Sequence, residues 1–371
     1  MRLGVSAALV GGVLHRGDVA VVDGRVSAVG LTPARGSAIA VPGLVDVQCN
    51  GYAGVDLTAG PAVGDVTTMR RALARDGVTA VVPTIITAAP DTTRAALRAL
   101  DAARGEPGGA HLLGAHVEGP FLSPRRAGTH PPQHLLAPDP ALLSDFLTTG
   151  AVAVTTLAPE LDGADELVRT ALAAGVTVMA GHSDASAATA HAGFDAGIAG
   201  ATHLFNAMSG LDHRSPGLAA AALAHPGTVV TVIADGHHVD PDVLRIVAAA
   251  AGERWALITD ATAAAGRPDG VYHLGDVEVT LADGVVRNPD GTLAGSAATL
   301  AGCVRTCVAA GIDPAAALVA ATATPARLVP PAQRPHPDLG VLRPGGVADV
   351  TVLDEALEVT RVLLAGHEVE R

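Results

Sequence analysis

The chain contains no lysine, so all 24 of its basic residues are arginines. That absence removes three chemistries at once: a Schiff-base lysine, a P-loop lysine, and a lysine modified to bridge two metals. Aromatic residues make up only 2% of the sequence. A core of useful size then has to be built from Val, Leu, Ile and Ala, which pack most closely where helices lie on a parallel sheet. Cysteines number three, Cys49, Cys303 and Cys307. An odd count without framework spacing argues against a disulfide scaffold and for a reducing compartment, so a cytoplasmic location is expected. Cys303 and Cys307 lie one helical turn apart in an apolar stretch and read as core packing. No run is apolar enough to span a membrane. There is no basic face to neutralise a nucleic-acid backbone either, since the net charge is −13. Any anionic substrate is therefore gripped by a local Arg or His cluster and not by the overall field.

What is present is length and alternation. The 371 residues suit a barrel with a small extra domain. The first residues, Met1 to Leu14, loosely imitate a signal peptide. They run directly into an alternating strand and are read as the first strands of the folded protein. Val19, Val21 and Val22 precede Asp23–Gly24, a strong hairpin signal. The chain's end is also strand-rich: Ala348 to Leu353, Val359 to Leu364, a turn at Ala365–Gly366, then His367 to Glu370. Both termini together predict one small β-sandwich domain, residues 1–41 and 336–371.

Residues 42–335 alternate apolar strands with Ala-rich helical stretches. Candidate strands are Gly43–Cys49, Thr79–Ile85, His111–Val117, Val152–Leu157, Val176–Ala180, Gly200–Leu204, Val229–Ala234 and Ala256–Thr259. Helical patterns include Val66–Asp76, Thr92–Arg104, Ala164–Ala174 and Pro241–Ala251. Eight strands alternating with helices predict an α/β fold, a (β/α)8 TIM-like barrel. In such a barrel chemistry sits where strands finish. Here polar residues recur at that place: Gln48–Cys49–Asn50, His116–Val117–Glu118, Gly181–His182–Ser183, Thr202–His203, Asp235–Gly236–His237–His238 and Asp260.

Glu118, His182 and His203 each end a strand and would converge at the barrel mouth. Any one alone reads as a polar residue at a helix start. One carboxylate with two imidazoles is a common catalytic zinc set with an open position for water. A metal there lowers the pKa of water toward about 7 and polarises a carbonyl. Asp260 fits a base facing that water; a helix N-cap is its alternative role. The ligand set accepts zinc, iron, manganese or cobalt, with zinc as the expected ion.

Seven segments carry a resemblance. They are Pro42–Gly43–Leu44–Val45–Asp46, His116 to Phe121, Gly128–Thr129–His130, Ala180 to Ser183, Thr202 to Met208, Ala234 to Val239, and Thr259–Asp260–Ala261. In order and spacing they resemble the N-acetylglucosamine-6-phosphate deacetylase family of the amidohydrolase superfamily, over nearly the whole chain. The resemblance implies deacetylation of N-acetylglucosamine 6-phosphate to glucosamine 6-phosphate and acetate. It implies one divalent metal per subunit on Glu118, His182 and His203. Asp260 falls on the general base and acid, and His130 on a histidine that polarises the acetyl carbonyl. Thr129, Asn206, Ala207 and His238 fall on substrate contacts, as do Leu293, Ala294 and Gly295 in a closing loop. Arg214 falls on an arginine that grips the phosphate of a neighbouring subunit, which implies a homodimer. An isolated arginine would otherwise read as solvated surface. Two departures stand out. Gln48–Cys49–Asn50 replaces the His–x–His that supports a second metal in many superfamily members, which fits a single-metal site. Asp212–His213–Arg214–Ser215 stands where the family usually has Gly–Arg–Glu. Two other readings remain: deacetylation of another amino sugar phosphate such as N-acetylgalactosamine 6-phosphate, and a catalytically silent sugar-phosphate-binding relative.

Overall fold

The structure is a computed structural model that describes residues 1–34 and 36–370. Its centre is an eight-stranded parallel barrel. The strands are β1 (Leu44–Cys49), β2 (Val78–Ile85), β3 (His111–Leu112 and Ala115–Glu118) and β4 (Val152–Leu157). They continue with β5 (Thr177–Ala180), β6 (Gly200–Ala201), β7 (Val229–Ile233) and β8 (Trp255–Ile258). Neighbours pair in chain order from β1 to β8, all parallel. One helix follows each strand: α1 (Val63–Arg75), α2 (Pro90–Ala103), α3 (Pro140–Leu147), α4 (Ala164–Ala173), α5 (Ala187–Asp195), α6 (Leu218–Ala224), α7 (Pro241–Ala251) and α8 (Leu300–Ala309). The strands are buried on both faces, as their continuous apolar runs require. Inside the barrel, Val45, Val47, Ala80, Val82, Val154 and Ile258 form a packed plug.

The barrel closes between β8 and β1 by polar contacts beyond the strand ends. The Asp260 N–H donates to the Gln48 carbonyl at 2.9 Å, and the Asn50 N–H to the Ala261 carbonyl at 2.7 Å. Below them the buried Asp46 carboxylate accepts the Thr259 hydroxyl at 2.5 Å. The sequence signal for β3 breaks at Gly114. It takes φ +93°, and a Cβ there would lie 2.6 Å from the Ala151 carbonyl oxygen, so the expected single strand becomes two pieces. β6 is shorter than its apolar run because the chain turns away after Thr202, whose N–H still reaches the Ala180 carbonyl at 2.9 Å; the His203 N–H goes to the Thr231 hydroxyl at 2.8 Å.

The termini build a six-stranded sheet. Its order is Val13–Arg16, Ala7–Val10, Ile39–Pro42, Val350–Leu353, Val359–Leu364, His367–Glu368. The hairpin Asp18–Val22/Arg25–Leu31, turned at Asp23–Gly24, packs on it through Val19, Val21, Val26, Val350 and Val352. Asp349 ties this sheet to the barrel: its carboxylate meets His111 at 3.1 Å and His336 at 2.9 Å, and accepts the Ala365 N–H.

A third sheet, Gly270–Leu274, Val277–Ala282 and Val285–Arg287, is inserted between β8 and α8. The sequence reading passes over it. Its small core of Leu274, Val279, Leu281, Val286 and Ala294 lies against Ile86 at the barrel's C-terminal end, which places it beside the site.

Candidate active site

At the C-terminal ends of the strands a cavity of about 320 Å³ opens. Its lining includes Glu118, His130, His182, His203, His238 and Asp260. These come from β3, the β3–α3 loop and the ends of β5 to β8. His182, His203 and Asp260 all adopt positive φ, at 47°, 35° and 50°. Such backbone is costly for a residue with a Cβ and concentrates where side chains are aimed for function.

The centre is a knot of buried groups. His203 Nε2 lies 3.0 Å from Glu118 Oε1 and 3.0 Å from His182 Nε2, and His182 Nε2 is 3.4 Å from Glu118 Oε1. His130 Nε2 stands 3.7 Å from Glu118 Oε2. Glu118 is 2% exposed and His203 is 4% exposed. Burial pushes the Glu118 carboxyl up, but the three surrounding histidines outweigh it and hold it well below the usual range. Burial would discharge His203, yet Glu118 raises its pKa. His130, buried beside His182, falls to about 4 and is neutral. Asp260 is pushed up by burial and then by the Glu118 charge.

This arrangement fits a divalent ion. His182 Nδ1 lies 2.9 Å from the Arg126 carbonyl. A carbonyl only accepts, so Nδ1 carries the proton and Nε2 presents a lone pair to the knot. That Nε2, His203 Nε2 and a Glu118 oxygen crowd one point, an arrangement that a cation relieves. Ligand atoms of Glu118, His130 and His182 also lie within 4.8 Å of one another, close enough to share a metal, but His130 receives the Thr87 N–H on Nδ1 at 3.2 Å. Its proton therefore sits on Nε2, which makes it a donor toward the cavity. His203 is the better third ligand.

The amides Gln48 and Asn50 occupy the end of β1. Asn50 Nδ2 donates to Asp260 Oδ1 at 2.7 Å. Gln48 Nε2 lies 3.2 Å from the same oxygen and 3.3 Å from both Glu118 oxygens. These contacts were not foreseen as site contacts from the sequence, although the Gln–x–Asn spacing singled the two residues out. Arg125 and Arg126, also unforeseen, line the cavity and share the Asp184 carboxylate at 3.3 and 2.7 Å.

The remaining expected residues divide. Thr129, Asn206, Ala207, Leu293 and Gly295 line the cavity. Thr129 also accepts from Asn288 Nδ2 at 3.1 Å. His238 lines it too, with Nδ1 held by Asp235 at 2.8 Å. Ala207 has φ +48° and Phe205 φ +75°, a turn sequence that makes backbone N–H groups available to an anion. Gly295 closes tightly over Asp260: a Cβ there would lie 2.7 Å from the Asp260 carbonyl oxygen. Ala294 instead points into the core under the inserted sheet. Arg214 lies outside the cavity lining, in an exposed loop whose turn is held by Asp212.

The Amidohydrolase family model matches residues 39–369. An N-acetylgalactosamine-6-phosphate deacetylase of Escherichia coli O157:H7 is 38% identical, over 96% of this chain and 95% of its own. An N-acetylglucosamine-6-phosphate deacetylase of Bos taurus is 36% identical, over 97% and 93%. Among solved structures, an aspartate-to-alanine mutant of the Mycobacterium smegmatis N-acetyl-D-glucosamine-6-phosphate deacetylase, in complex with N-acetyl-D-glucosamine 6-phosphate, superposes with a TM-score of 0.90. It is 36% identical, with 99% of this chain and 98% of that one covered. With a (β/α)8 barrel and a carboxylate–imidazole knot at its mouth, the chain belongs to the amidohydrolase family, and within it to the N-acetylglucosamine-6-phosphate deacetylases.

Proposed function

We propose that this protein hydrolyses the acetamide of N-acetylglucosamine 6-phosphate to glucosamine 6-phosphate and acetate. The observation that carries the reading is the convergence of Glu118, His182 and His203 on one point, with Asp260 and a donor His130 on the same cavity. Glu118, His182 and His203 would hold one divalent ion, zinc by expectation, with iron, manganese and cobalt compatible with the same donors. Such an ion acidifies water and polarises a carbonyl. A cation held there would also offset the upward push on Asp260 and favour its carboxylate form.

The chain's own groups do the rest. Asp260 Oδ1 is pinned by Asn50 and Gln48, which leaves Oδ2 to take a proton from the attacking water. The His130 Nε2–H donates to the acetyl oxygen as negative charge grows there. The C–N bond then breaks as Asp260 returns the proton to the amine. His238, Asn206, the Ala207 N–H and Thr129 orient the sugar phosphate beneath the Leu293–Gly295 loop, and Arg214 reaches the phosphate of the neighbouring subunit in a homodimer. Residues 42–335 form the catalytic barrel; 1–41 and 336–371 form the accessory β domain. Three free, buried cysteines accord with a cytoplasmic setting.

A silent sugar-phosphate sensor would have no use for a base held by two amides. The E. coli relative that is named for the galactosamine substrate supplies the second reading, the epimeric sugar. Acetate release is measured with N-acetylglucosamine 6-phosphate and N-acetylgalactosamine 6-phosphate, each with and without a chelator. We expect chelator-sensitive turnover with the higher kcat/KM for the gluco epimer. Higher kcat/KM for the galacto epimer selects the second reading, and no acetate from either overturns both.

A further inference from the structure

We propose that Thr87 is a positioning residue that fixes His130 as the Nε2–H tautomer, making this ring a hydrogen-bond donor to the substrate and withholding it from the metal. The proposal rests on the deacetylase reading for the meaning of that donor, but its geometry stands on the chain alone.

Two histidines beside Glu118 are held by opposite partners. His182 Nδ1 faces a carbonyl, that of Arg126, at 2.9 Å. His130 Nδ1 faces the backbone N–H of Thr87 at 3.2 Å and the Thr87 hydroxyl at 2.8 Å. A backbone N–H can only donate, so the nitrogen it meets carries a lone pair. A neutral imidazole with a lone pair on Nδ1 has its proton on Nε2. The two rings, whose centroids are 4.2 Å apart, thus present different faces to the site: His182 a lone pair, His130 a proton.

Thr87 is itself built in. It lies two residues past β2 and is 2% exposed; its hydroxyl oxygen also stands 3.2 Å from the Glu118 carbonyl, although its single proton, given to His130 Nδ1, is then not shared with that carbonyl. Glu118 and His130 are therefore registered against one side chain. Gly119 makes the space for it, because a Cβ at that position would stand 2.2 Å from the Thr87 hydroxyl oxygen. The hydroxyl and the N–H together fill the Nδ1 side of the ring, so rotating His130 toward the metal position would leave the buried Thr87 N–H unpaired, while the hydroxyl could turn to the Glu118 carbonyl.

The test combines a spectroscopic and a kinetic readout. Nitrogen NMR of ¹⁵N-histidine-labelled wild-type protein, with His130→Asn to assign the signal, reports which ring nitrogen carries the proton. We expect Nδ1 to be unprotonated. Thr87→Val, which keeps size and the backbone N–H, should lower kcat about tenfold, the scale of one misplaced proton donor. Its KM and metal content should stay at wild-type values, and Thr87→Ser should restore kcat. A proton on Nδ1 of wild-type His130 overturns the proposal, as does wild-type kcat in a folded Thr87→Val protein. Wild-type protein that releases no acetate defeats the deacetylase reading, while the tautomer remains measurable and decides this one.

Discussion

Asn50 donates its side-chain amide to Asp260 Oδ1 at 2.7 Å across the seam where the barrel closes. Gln48, two residues earlier on the same strand, adds a second amide to that oxygen at 3.2 Å. Both groups are buried. At the end of β1 this chain thus places two neutral donors that fix the plane and rotamer of Asp260, the proposed base. Asn50→Ala should therefore lower kcat by about 10- to 100-fold, the cost of a catalytic group out of line, with KM and metal content unchanged. Steady-state kinetics beside metal analysis checks this.

Asp260 itself sets the upper bound on that loss. Asp260→Asn keeps shape and can still pair with Asn50, but cannot accept the proton of water. Turnover should fall by at least about 10²-fold, in the range of a lost general base. Metal content should be retained because Glu118, His182 and His203 are intact. An active Asp260→Asn protein would sink the assignment of the base.

The barrel was legible because its signals are local. Val152–Leu157 and Pro241–Ala251 fall where their periodicity puts them, and the strand-end rule then pointed to Glu118, His182, His203 and Asp260 without any tertiary information. What was not legible is non-local. The Asn50–Asp260 pair spans 210 residues, and nothing near Thr87 in sequence signals its contact with His130. The inserted sheet was hidden for another reason. Its alternating strand Val277–Ala282 is half-exposed, so it lacks the continuous apolar run that marked the barrel strands. Gly114 and His203 broke or shortened strands by backbone conformation, which hydrophobic pattern does not encode.

Asp46 should make stability depend on pH near neutrality. It is fully buried under the seam, and burial, with a smaller push from Asp260, raises its pKa to about 7. Between the ordinary carboxylate value near 4 and pH 7, the folded protein binds more protons here than the unfolded chain does. This group's contribution therefore falls as pH rises through that window, by on the order of a few kcal/mol. Asp46→Asn removes the titration while keeping an acceptor for the backbone N–H groups of Gln48 and Thr259. The Tm difference, variant minus wild type, should rise from pH 4 to pH 7 and then level off. A difference independent of pH would refute it.

Asp349 predicts the opposite sign. Burial raises its pKa, but the bonds from His111 and His336 outweigh burial and hold it well below the usual value. Its stabilisation is full above about pH 4, the unfolded value, and is lost as pH falls further through the folded one. In Asp349→Asn, an oxygen turned to the two histidines leaves an NH₂ against the Ala365 N–H, so the junction of barrel and β domain loses one partner either way. The variant should be less stable at neutral pH by on the order of 2–4 kcal/mol. The gap should hold from pH 7 down to about pH 4 and begin to narrow between pH 4 and pH 3, as thermal unfolding from pH 3 to 7 would report.

Arg214 offers a test of assembly. It is exposed in this chain and lies outside the cavity lining, and the proposed phosphate contact is one made to a second subunit. Arg214→Gln should raise KM by about 10- to 100-fold, as loss of a charged hydrogen bond does, with kcat preserved. Asp260→Asn should be nearly inactive at every substrate concentration. Mixed under exchanging conditions, the two variants form heterodimers in which one site combines an intact Asp260 with an intact Arg214 from its partner. Random pairing makes half of the dimers mixed, each with one complete site, so activity at low substrate should recover to about a quarter of wild type. If Arg214 served its own chain, that same heterodimer would contain no complete site, and mixing would only dilute the residual activity of the arginine variant.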